Sequence, residues 1–283
     1  MKFTCNTHLL VTNIGVASHF NSSMLSSHPS LQGIYIQTKE QTLIIRSTNL
    51  NDFFETSIDI KTETHGECIV DGKRFLVFFS LLPDIEVSIE LQDSHLVVLL
   101  GATNGAFLTY SKGDYPDGPA ITTSLKVFPP ELLEQLPFIV FATAKDDTRP
   151  ILTGILCKQI DSKTHIVSTD GFRLSLLVYD GVLVEGECII PSRVLSEVLS
   201  LSKESKEVKF AYDDDHSCII FAFEKHVITS RVIEGEFPPY NRVVPEGFKT
   251  RCVVNKQEMV KNVKRASIFA RDLCNIVILD ITP

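Results

Sequence analysis

The run Asp213-Asp214-Asp215-His216 has the side chains in this sequence that are best suited to binding a metal ion. Carboxylate and imidazole groups are common ligands of divalent cations. The run lies between two apolar, β-prone stretches, VKFAY and CIIFAF, and this placement is typical of a hairpin turn. A second acidic pair, Asp146-Asp147 near Arg149, is interpreted as a solvated loop. A metal-dependent enzyme centred on Asp213 to His216 is kept as an alternative.

Motifs of the common enzyme classes are missing from the sequence. There is no G-x-S-x-G nucleophile elbow, no G-x-x-x-x-G-K-[ST] phosphate loop, no H-E-x-x-H zinc motif and no G-x-G-x-x-G that opens a helix. The eight histidines lack ligand spacing, and the seven cysteines include no CxxC pair and are read as reduced core thiols. We therefore predict a protein that is not an enzyme and holds neither metal nor cofactor.

Length and composition favour a soluble, multidomain protein. The 283 residues, 44% of them hydrophobic, are enough for at least two ordinary cores. No stretch approaches the run of about 20 apolar residues that crosses a bilayer, and the N-terminal MKFTCNTHLL lacks the order of a secretion signal, so we expect a cytoplasmic protein. A net charge of −8 argues against nucleic-acid binding over the whole surface, but it allows a local basic surface.

Short phrases recur along the chain at a constant period. The stretches LQGIYI, LTGILC and LCNIVI begin at Leu31, Leu152 and Leu273, each 121 residues after the one before. The phrases GECIV and GECII follow in step, 120 residues apart. This period is the size of one small domain. We therefore predict three related domains, 1–121, 122–245 and an incomplete third at 246–283.

Each predicted domain opens with a strand and a helix. The opening stretches are KFTCNTHLLVTNIGVASHF, LKVFPPELLEQLPFIVFATAKD and CVVNKQEMVKNVKRASIFARD, and the last has an apolar stripe at Met259, Val260, Val263 and Ala270. β-rich hairpins follow, then second helices at DGKRFLVFFSLL and PSRVLSEVLSLSKES. The predicted class is α+β, with two helices on one side of an antiparallel sheet in each repeat.

Positive charges occupy related positions on these helices. Lys73 and Arg193 lie 120 residues apart, each beside the first turn of a second helix. In the third repeat, Lys261, Lys264 and Arg265 share one helical face through their i, i+3, i+4 spacing. A solvated helix face would explain any one of these patches. Their repetition on equivalent helices favours a shared basic surface on an acidic protein.

Four longer motifs resemble the bacterial sliding clamp, the β subunit of DNA polymerase III. They are ATAKDDTRPILTGILCK, STDGFRLSL, IIPSRVLSEVL and SRVIEGEFPPYNRVVP, with MKFT at the start and ASIFARD near the end. The resemblance runs over the whole chain and implies the DNA-clamp fold, with sheets outside and helices lining a central hole. It also implies a non-catalytic processivity factor whose homodimer ring encloses duplex DNA of any sequence, with no cofactor.

The resemblance further implies three functional surfaces. For the DNA-facing surface, Lys73 and Arg193 match inner-helix positions, and helix phase adds Lys261, Lys264 and Arg265. A pocket for short linear motifs of the replicative polymerase, the clamp loader and repair proteins would include Leu152, Thr169, Gly171, Phe172, Arg173, Leu174, Pro238, Arg242 and Val243. At the subunit interface, Ile268 and Phe269 would meet Phe107 of the neighbouring subunit.

The short third domain leaves two interpretations open. The sequence is either a fragment of a longer clamp, which we favour, or a shortened relative that cannot close the usual ring. Besides the metal-dependent enzyme, the rival function is a non-encircling, two-domain protein. Such a protein would keep the peptide pocket and recruit partners without retaining DNA.

Overall fold

The computed structural model describes residues 1–21, 29–101, 103–113, 115–245, 247, 249–271 and 276–281. The chain divides into two compact units, Met1–Phe237 and Pro238–Pro283, which we call unit 1 and unit 2. Among the described residues, all strands belong to unit 1, and unit 2 contains one α-helix and a short 3-10 turn.

Five α-helices are formed by the described residues. They are α1 (Thr7–Ser18), α2 (Gly72–Ser80), α3 (Pro130–Val140), α4 (Ser192–Ser202) and α5 (Lys256–Ala270). In unit 1, α1 packs against α2 and α3 packs against α4. The Asn6 side chain accepts the Leu9 N–H and so caps the start of α1, while Pro130 lies in the first turn of α3, where it costs no hydrogen bond.

Unit 1 is built mainly from antiparallel strands. Those before residue 121 are β1 (Lys2–Asn6), β2 (Gly33–Lys39), β3 (Thr42–Thr48), β4 (Asp52–Asp59), β5 (Lys61–Thr64), β6 (Gly66–Asp71), β7 (Glu86–Gln92), β8 (His95–Leu100) and β9 (Thr103–Tyr110). Those after it are β10 (Lys126–Val127), β11 (Gly154–Ile160), β12 (Lys163–Thr169), β13 (Leu174–Tyr179), β14 (Glu187–Pro191), β15 (Lys209–Asp213), β16 (Cys218–Ala222) and β17 (His226–Arg231).

These strands form two sheets. The larger has thirteen strands in the order β10-β15-β16-β17-β4-β3-β2-β6-β9-β8-β7-β1-β5, and the smaller has the order β13-β12-β11-β14. The pairing of β17 with β4 joins the two halves of unit 1 into one sheet, with Ile228 opposite Phe54. Every recorded strand pair is antiparallel, so the α+β class with a helix pair on antiparallel sheet in each repeat is confirmed for unit 1.

The element order of the first repeat recurs in the second. Strands β2 and β3 reappear as β11 and β12 at an offset of 121, and α2 reappears as α4 at an offset of 120. The domain limits at residues 121 and 245 stay predictions. The third phrase of the repeat cannot be compared, because Leu273 lies outside the described residues.

Apolar side chains at helical spacing hold the helix pairs to the sheets. Leu10 and Ile14 of α1 are fully buried, as are Val194 and Val198 of α4. They belong to one large core that also includes strand residues such as Ile45. Burying a side chain of this size stabilises a fold by about 1.5–3 kcal/mol relative to exposure. The hydrophobic pattern in the sequence therefore corresponds to real packing in unit 1.

The predicted start of the third repeat differs from the structure. Residues 251–255 form no strand, and Cys252, Val253 and Val254 are exposed. A strand needs a hydrogen-bonded neighbour, and the described residues of unit 2 supply none. In the apolar stripe of α5, Ala270 is buried but Val260 and Val263 are exposed. The core-thiol prediction is confirmed for five cysteines, is wrong for Cys252, and for Cys274 falls outside the described residues.

The acidic runs lie in a turn and a loop, as predicted. Residues 214–217 form the turn between β15 and β16, where His216 Nδ1 lies 2.9 Å from Asp213 Oδ2. Asp146 and Asp147 are exposed in a loop without regular structure. Within the described ranges, no three His, Cys, Asp or Glu side chains are grouped to hold a metal ion. No described helix is long and apolar enough to span a membrane.

Candidate functional site

A tight turn between β12 and β13 contains most of the predicted pocket residues of unit 1. The Thr169 hydroxyl accepts the Gly171 N–H at 3.1 Å and donates to the Arg173 carbonyl at 2.7 Å. Asp170 Oδ1 accepts the N–H groups of Phe172 and Arg173, both at 2.9 Å. Gly171 has φ +90°, a conformation that side-chain-bearing residues rarely adopt. Side-chain hydrogen bonds and a glycine therefore fix the shape of this turn.

Arg173 is held in place from two sides. Its Nε donates to Asp170 Oδ2 at 2.9 Å, and its guanidinium carbon lies 5.3 Å from the ring centroid of Phe141, a cation–π contact. The Arg173 N–H holds the pKa of Asp170 below its ordinary value, so this carboxylate stays ionised at neutral pH. The Arg173 guanidinium therefore has a defined position at the rim of the turn.

Leu152 lies in the 3-10 turn Pro150–Thr153, just before β11, and is buried. Its N–H donates to the Arg149 carbonyl and its carbonyl accepts the Ala144 N–H, both at 2.9 Å. A β-carbon built on Gly171 would lie 3.4 Å from Arg149 Nη1, so this segment and the β12–β13 turn are neighbours. The end of the Arg149 side chain thus lies beside Gly171, and Leu174 is half-buried. That Leu152 shares a pocket with residues 169–174 stays a prediction.

The other predicted pocket residues belong to unit 2. Pro238, Arg242 and Val243 are exposed. Tyr240–Arg242 forms a 3-10 turn, and the Val243 N–H donates to the Tyr240 carbonyl at 3.1 Å. This turn presents an apolar and a cationic side chain to solvent. Their membership of one pocket with Leu152 and residues 169–174 stays a prediction.

The first turn of α2 displays two cations. Lys73 and Arg74 are both exposed, and Asp71 caps the helix by accepting the Arg74 N–H at 3.0 Å. Cations at a helix N-terminus oppose the helix dipole, so helix stability does not explain their presence. Arg74 was missed in the sequence analysis, although its place beside Lys73 is a visible signal.

Arg193, at the equivalent position on α4, is engaged instead with a buried acid. Its guanidinium forms an ion pair with Asp52 of β4, whose side chain is 0% exposed. Asp52 also accepts hydrogen bonds from Ser230 Oγ at 2.6 Å and Asn49 Nδ2 at 3.1 Å. Burial lowers the pKa of the half-exposed Arg193 guanidinium from its ordinary value. Nothing in the local sequence around Asp52 distinguishes it from a turn aspartate, so the sequence alone does not predict this ion pair.

Two cavities meet at Arg193. One, of about 380 Å³, is also lined by Asp52 and Arg231, and the other, of about 530 Å³, by Lys145 and Ser196. The exposed part of the guanidinium therefore borders open space on both sides.

The predicted cations of the third repeat lie on α5 in unit 2. Lys261, Lys264 and Arg265 are all exposed, and their spacing on a regular helix puts them on one face. Ile268 and Phe269 follow on the same helix, and Phe269 is 80% exposed. Large apolar side chains exposed in this way are typical of a surface that meets another protein.

Phe107, the other predicted interface residue, belongs to an aromatic cluster in unit 1. Its ring packs edge-on against Phe75 at 5.1 Å and Phe78 at 5.2 Å. Phe107 and Phe78, together with Val77 and Leu81, border an open, mainly apolar cavity of about 620 Å³ beside Lys73. A β-carbon at Gly105 would lie 2.7 Å from Phe78, so only glycine permits this close packing.

Two known domain families match the two repeats of unit 1. The N-terminal domain of the DNA polymerase III beta subunit matches residues 1–119, and its central domain matches residues 129–239. The chain belongs to the DNA polymerase III beta subunit family. The resemblance carried by motifs such as STDGFRLSL is therefore confirmed. Members of this family are sliding clamps, non-catalytic processivity factors, and this chain is one of them.

Individual relatives agree with this assignment over the full chain. The beta sliding clamp of Synechococcus elongatus is 24% identical over 100% of this chain and 78% of its own length. The beta sliding clamp of Bacillus subtilis is 26% identical over 98% of this chain and 77% of its own length. The chain therefore spans about three quarters of the length of these relatives.

Solved clamp structures have the same fold. The DNA polymerase sliding clamp from Bacillus subtilis superposes with a TM-score of 0.85 at 24% identity, covering 96% of this chain and 74% of that protein. The Helicobacter pylori beta clamp bound to a DNA ligase peptide superposes with a TM-score of 0.82 at 21% identity, covering 93% of this chain and 75% of that protein. At these identities the likeness shows the DNA-clamp fold, as the sequence predicted.

Proposed function

We propose that this sliding clamp encircles duplex DNA as a ring and tethers DNA polymerase III, the clamp loader and repair proteins to it. One observation supports the encircling role: the helix pairs of both repeats lie side by side across the β17–β4 junction. The pair α1–α2 packs on the larger sheet, which continues through this junction into the second repeat, and the pair α3–α4 packs on the smaller sheet of the second repeat. His19, which ends α1, lies 3.0 Å from Glu197 of α4, so helices of both repeats meet on one side of that junction. Such an array offers one continuous helical surface to DNA.

The DNA contacts in this proposal are weak and independent of base sequence. Lys73, Arg193, Lys261, Lys264 and Arg265 would attract phosphates, with Arg74 as an addition from the structure. Strong phosphate contacts would oppose sliding, whereas a closed ring retains DNA without them. A net charge of −8 is therefore compatible with a DNA tether.

Partner binding is assigned to the predicted pocket residues. Leu152, Leu174, Pro238 and Val243 would accept apolar anchor side chains, and Thr169, Gly171, Phe172, Arg173 and Arg242 would orient the peptide backbone and its polar groups. The fixed shape of the β12–β13 turn supports this role, because a preorganised site pays less entropy on binding. The Helicobacter pylori clamp structure with a DNA ligase peptide illustrates the class of ligand.

The aromatic cavity beside Phe107 is proposed as half of the subunit interface. The exposed side chains Ile268 and Phe269 of a second copy have the apolar character to fill it. Strand β9 next to it is the counterpart of β17, which already joins β4 within the chain. A clamp that works on the chromosome would be cytoplasmic and associated with the nucleoid.

Native mass spectrometry and retention on DNA test this proposal together. We expect a defined oligomer that stays on circular DNA and slides off the same DNA once it is linearised. A monomer with equal, weak binding to both forms would overturn the ring. If that monomer still binds partner peptides, the non-encircling, peptide-binding function would replace the proposed encircling function. Metal-dependent turnover that is lost in Asp215→Ala would support the enzyme alternative instead.

A further inference from the structure

Three exposed phenylalanines gather next to the proposed peptide pocket. Phe138 and Phe141 at the end of α3 are 69% and 53% exposed, and Phe172 in the β12–β13 turn is 99% exposed. Within the described part of unit 1, these are the only phenylalanines among the exposed large hydrophobic side chains. We call Phe138, Phe141, Phe172 and Arg173 the aromatic ledge. Aromatic side chains left in water on a rigid surface are typical of binding sites.

Hydroxyl groups fix the end of α3 to the strands that lead into and out of this turn. The Phe138 carbonyl accepts from Ser175 Oγ at 2.7 Å, and the Ile139 carbonyl accepts from Ser168 Oγ at 2.6 Å. These carbonyls belong to the last helical turn, and the Ile139 carbonyl also accepts the Ala142 N–H at 3.1 Å. The two bonds hold the helix end to β12 and β13. Phe138 and Phe141 are therefore presented from a fixed position and not from a mobile loop.

Arg173 connects the two parts of the ledge. Its guanidinium lies over the Phe141 ring, and its side chain is half exposed. Phe172 precedes it in the turn, whose backbone is fixed by Asp170 and Thr169. A planar guanidinium can stack with aromatic rings on both faces. The exposed part of the Arg173 guanidinium, next to the exposed Phe172 in the chain, therefore suits one further aromatic ring.

Charges around the ledge favour a peptide over a nucleic acid. Lys145, Arg149 and Arg173 are balanced by three acids of the same loop and turn, Asp146, Asp147 and Asp170. Asp170 is also bonded directly to Arg173. Binding to a phosphate backbone depends on an excess of positive charge, which this region lacks.

We propose that the aromatic ledge is a subsite of the peptide pocket that binds a tryptophan, tyrosine or phenylalanine flanking the apolar anchors of a partner peptide. The inference rests on the proposed pocket function and deepens it. The ledge adjoins the pocket, because the same turn supplies Thr169 and Leu174 to the pocket and Phe172 and Arg173 to the ledge. The expected occupant is therefore a side chain of the peptide that fills the pocket. The ring would stack on Arg173 and contact Phe172, so the ledge would select among partners that share the same anchors.

Peptide titration of the full chain tests this subsite. The probes are short fluorescein-labelled peptides with a leucine–phenylalanine anchor pair and either tryptophan or alanine scanned through the flanking positions. Because the chain contains no tryptophan, the emission of the peptide tryptophan reports its own environment. Variants are F141S and F172S for the ledge and L174D for the pocket. L9S removes an exposed apolar side chain on α1 and is the matched control.

At one flanking position or more, we expect tryptophan to tighten binding to the unmodified chain by about five- to tenfold over alanine. This gain should disappear in F141S and in F172S and persist in L9S, and F141S should bind the alanine peptides as tightly as the unmodified chain does. No gain at any position, or a gain that survives in both ledge variants, would overturn the subsite. If no peptide binds the unmodified chain at all, the pocket function itself fails, and the subsite with it. A ledge-dependent gain seen only with single-stranded DNA would replace the peptide by stacked bases.

Discussion

The first turns of α2 and α4 occupy the same place in their repeats but have different surroundings. Lys73 on α2 is exposed, has no recorded ion pair in the described residues, and borders the open cavity beside Phe107. Arg193 on α4 is paired with Asp52, a fully buried acid of the preceding repeat. The difference follows from the sheet, because the β17–β4 junction brings Asp52 to Arg193.

This contrast separates two junctions. The β17–β4 junction is completed within the chain, whereas the surface beside Phe107 is open. At the completed junction, a cation expected to face DNA also holds two repeats together. At the open one, the equivalent cation is available to solvent, beside the surface proposed to meet a second copy.

The largest expected effect is the loss of the Arg193 side chain. R193A leaves the buried Asp52 carboxylate without its cation, and we expect the free energy of unfolding to fall by about 2 kcal/mol. K73A removes an exposed side chain and should change it by about 0.5 kcal/mol or less. Urea unfolding of both variants measures the contrast. Equal losses would show that the two turns are energetically alike.

A double-mutant cycle sharpens the assignment to Asp52. D52N and R193A should be non-additive, with a coupling energy of about 1 kcal/mol, because each removes the same ion pair. Lys225, just before β17, and Asp59 at the end of β4 form an exposed pair at 3.0 Å and provide the control. Their coupling should be about 0.5 kcal/mol or less. Additive losses for Asp52 and Arg193 would attribute the effect of R193A to packing.

A pH titration examines a second polar contact of the same junction. His226 of β17 lies 2.8 Å from the Thr56 hydroxyl of β4, and burial lowers the pKa of its imidazole below 6.5. The imidazole of His226 is therefore protonated more readily in the unfolded chain than in the folded one. Neutral His226 contributes its full stability above pH 6.5, and this contribution is lost as the pH falls below 6.5. Urea midpoints of the wild type should drop more steeply below pH 6.5 than those of H226Q. Parallel curves would contradict a role for this group.

The smallest expected effect concerns DNA. K73Q should reduce the salt dependence of duplex binding, lowering the slope of log K against log salt by about 0.9, as for one lost phosphate contact. R193Q should lower it by less, because Asp52 already engages part of the guanidinium. K225Q, in the connection between β16 and β17, serves as the control. Fluorescence anisotropy with a short duplex measures these slopes, and an unchanged slope for K73Q would remove Lys73 from the DNA-facing set.

The sequence predicted the elements of unit 1 well, because their signals are local. The apolar spacing of Val194, Leu195 and Val198 marks a helix that buries one face, and the 121-residue offset marks strands that recur. The same reasoning failed for Cys252 to Val254. Their apolar character predicts a strand, but a strand forms only where a neighbouring strand completes its hydrogen bonds.

For the candidate site, sequence motifs identified residues but not their contacts. The β12–β13 turn was recognisable from Thr169 to Leu174, whereas the aromatic ledge was not. Phe138 and Phe141 resemble core residues in an amphipathic helix, and only the packing of α3 against β12 and β13 leaves them exposed. Exposure is a property of the assembled surface and has no local sequence signal.

By itself, the sequence determined the repeats, the α+β class, the family and the identities of the candidate site residues. These follow from periodicity and motifs, which depend on residues close together in the chain. Only the tertiary structure decided that Arg193 is tied to Asp52 while Lys73 is exposed. That difference depends on residues 141 positions apart, which the pairing of β17 with β4 brings into contact.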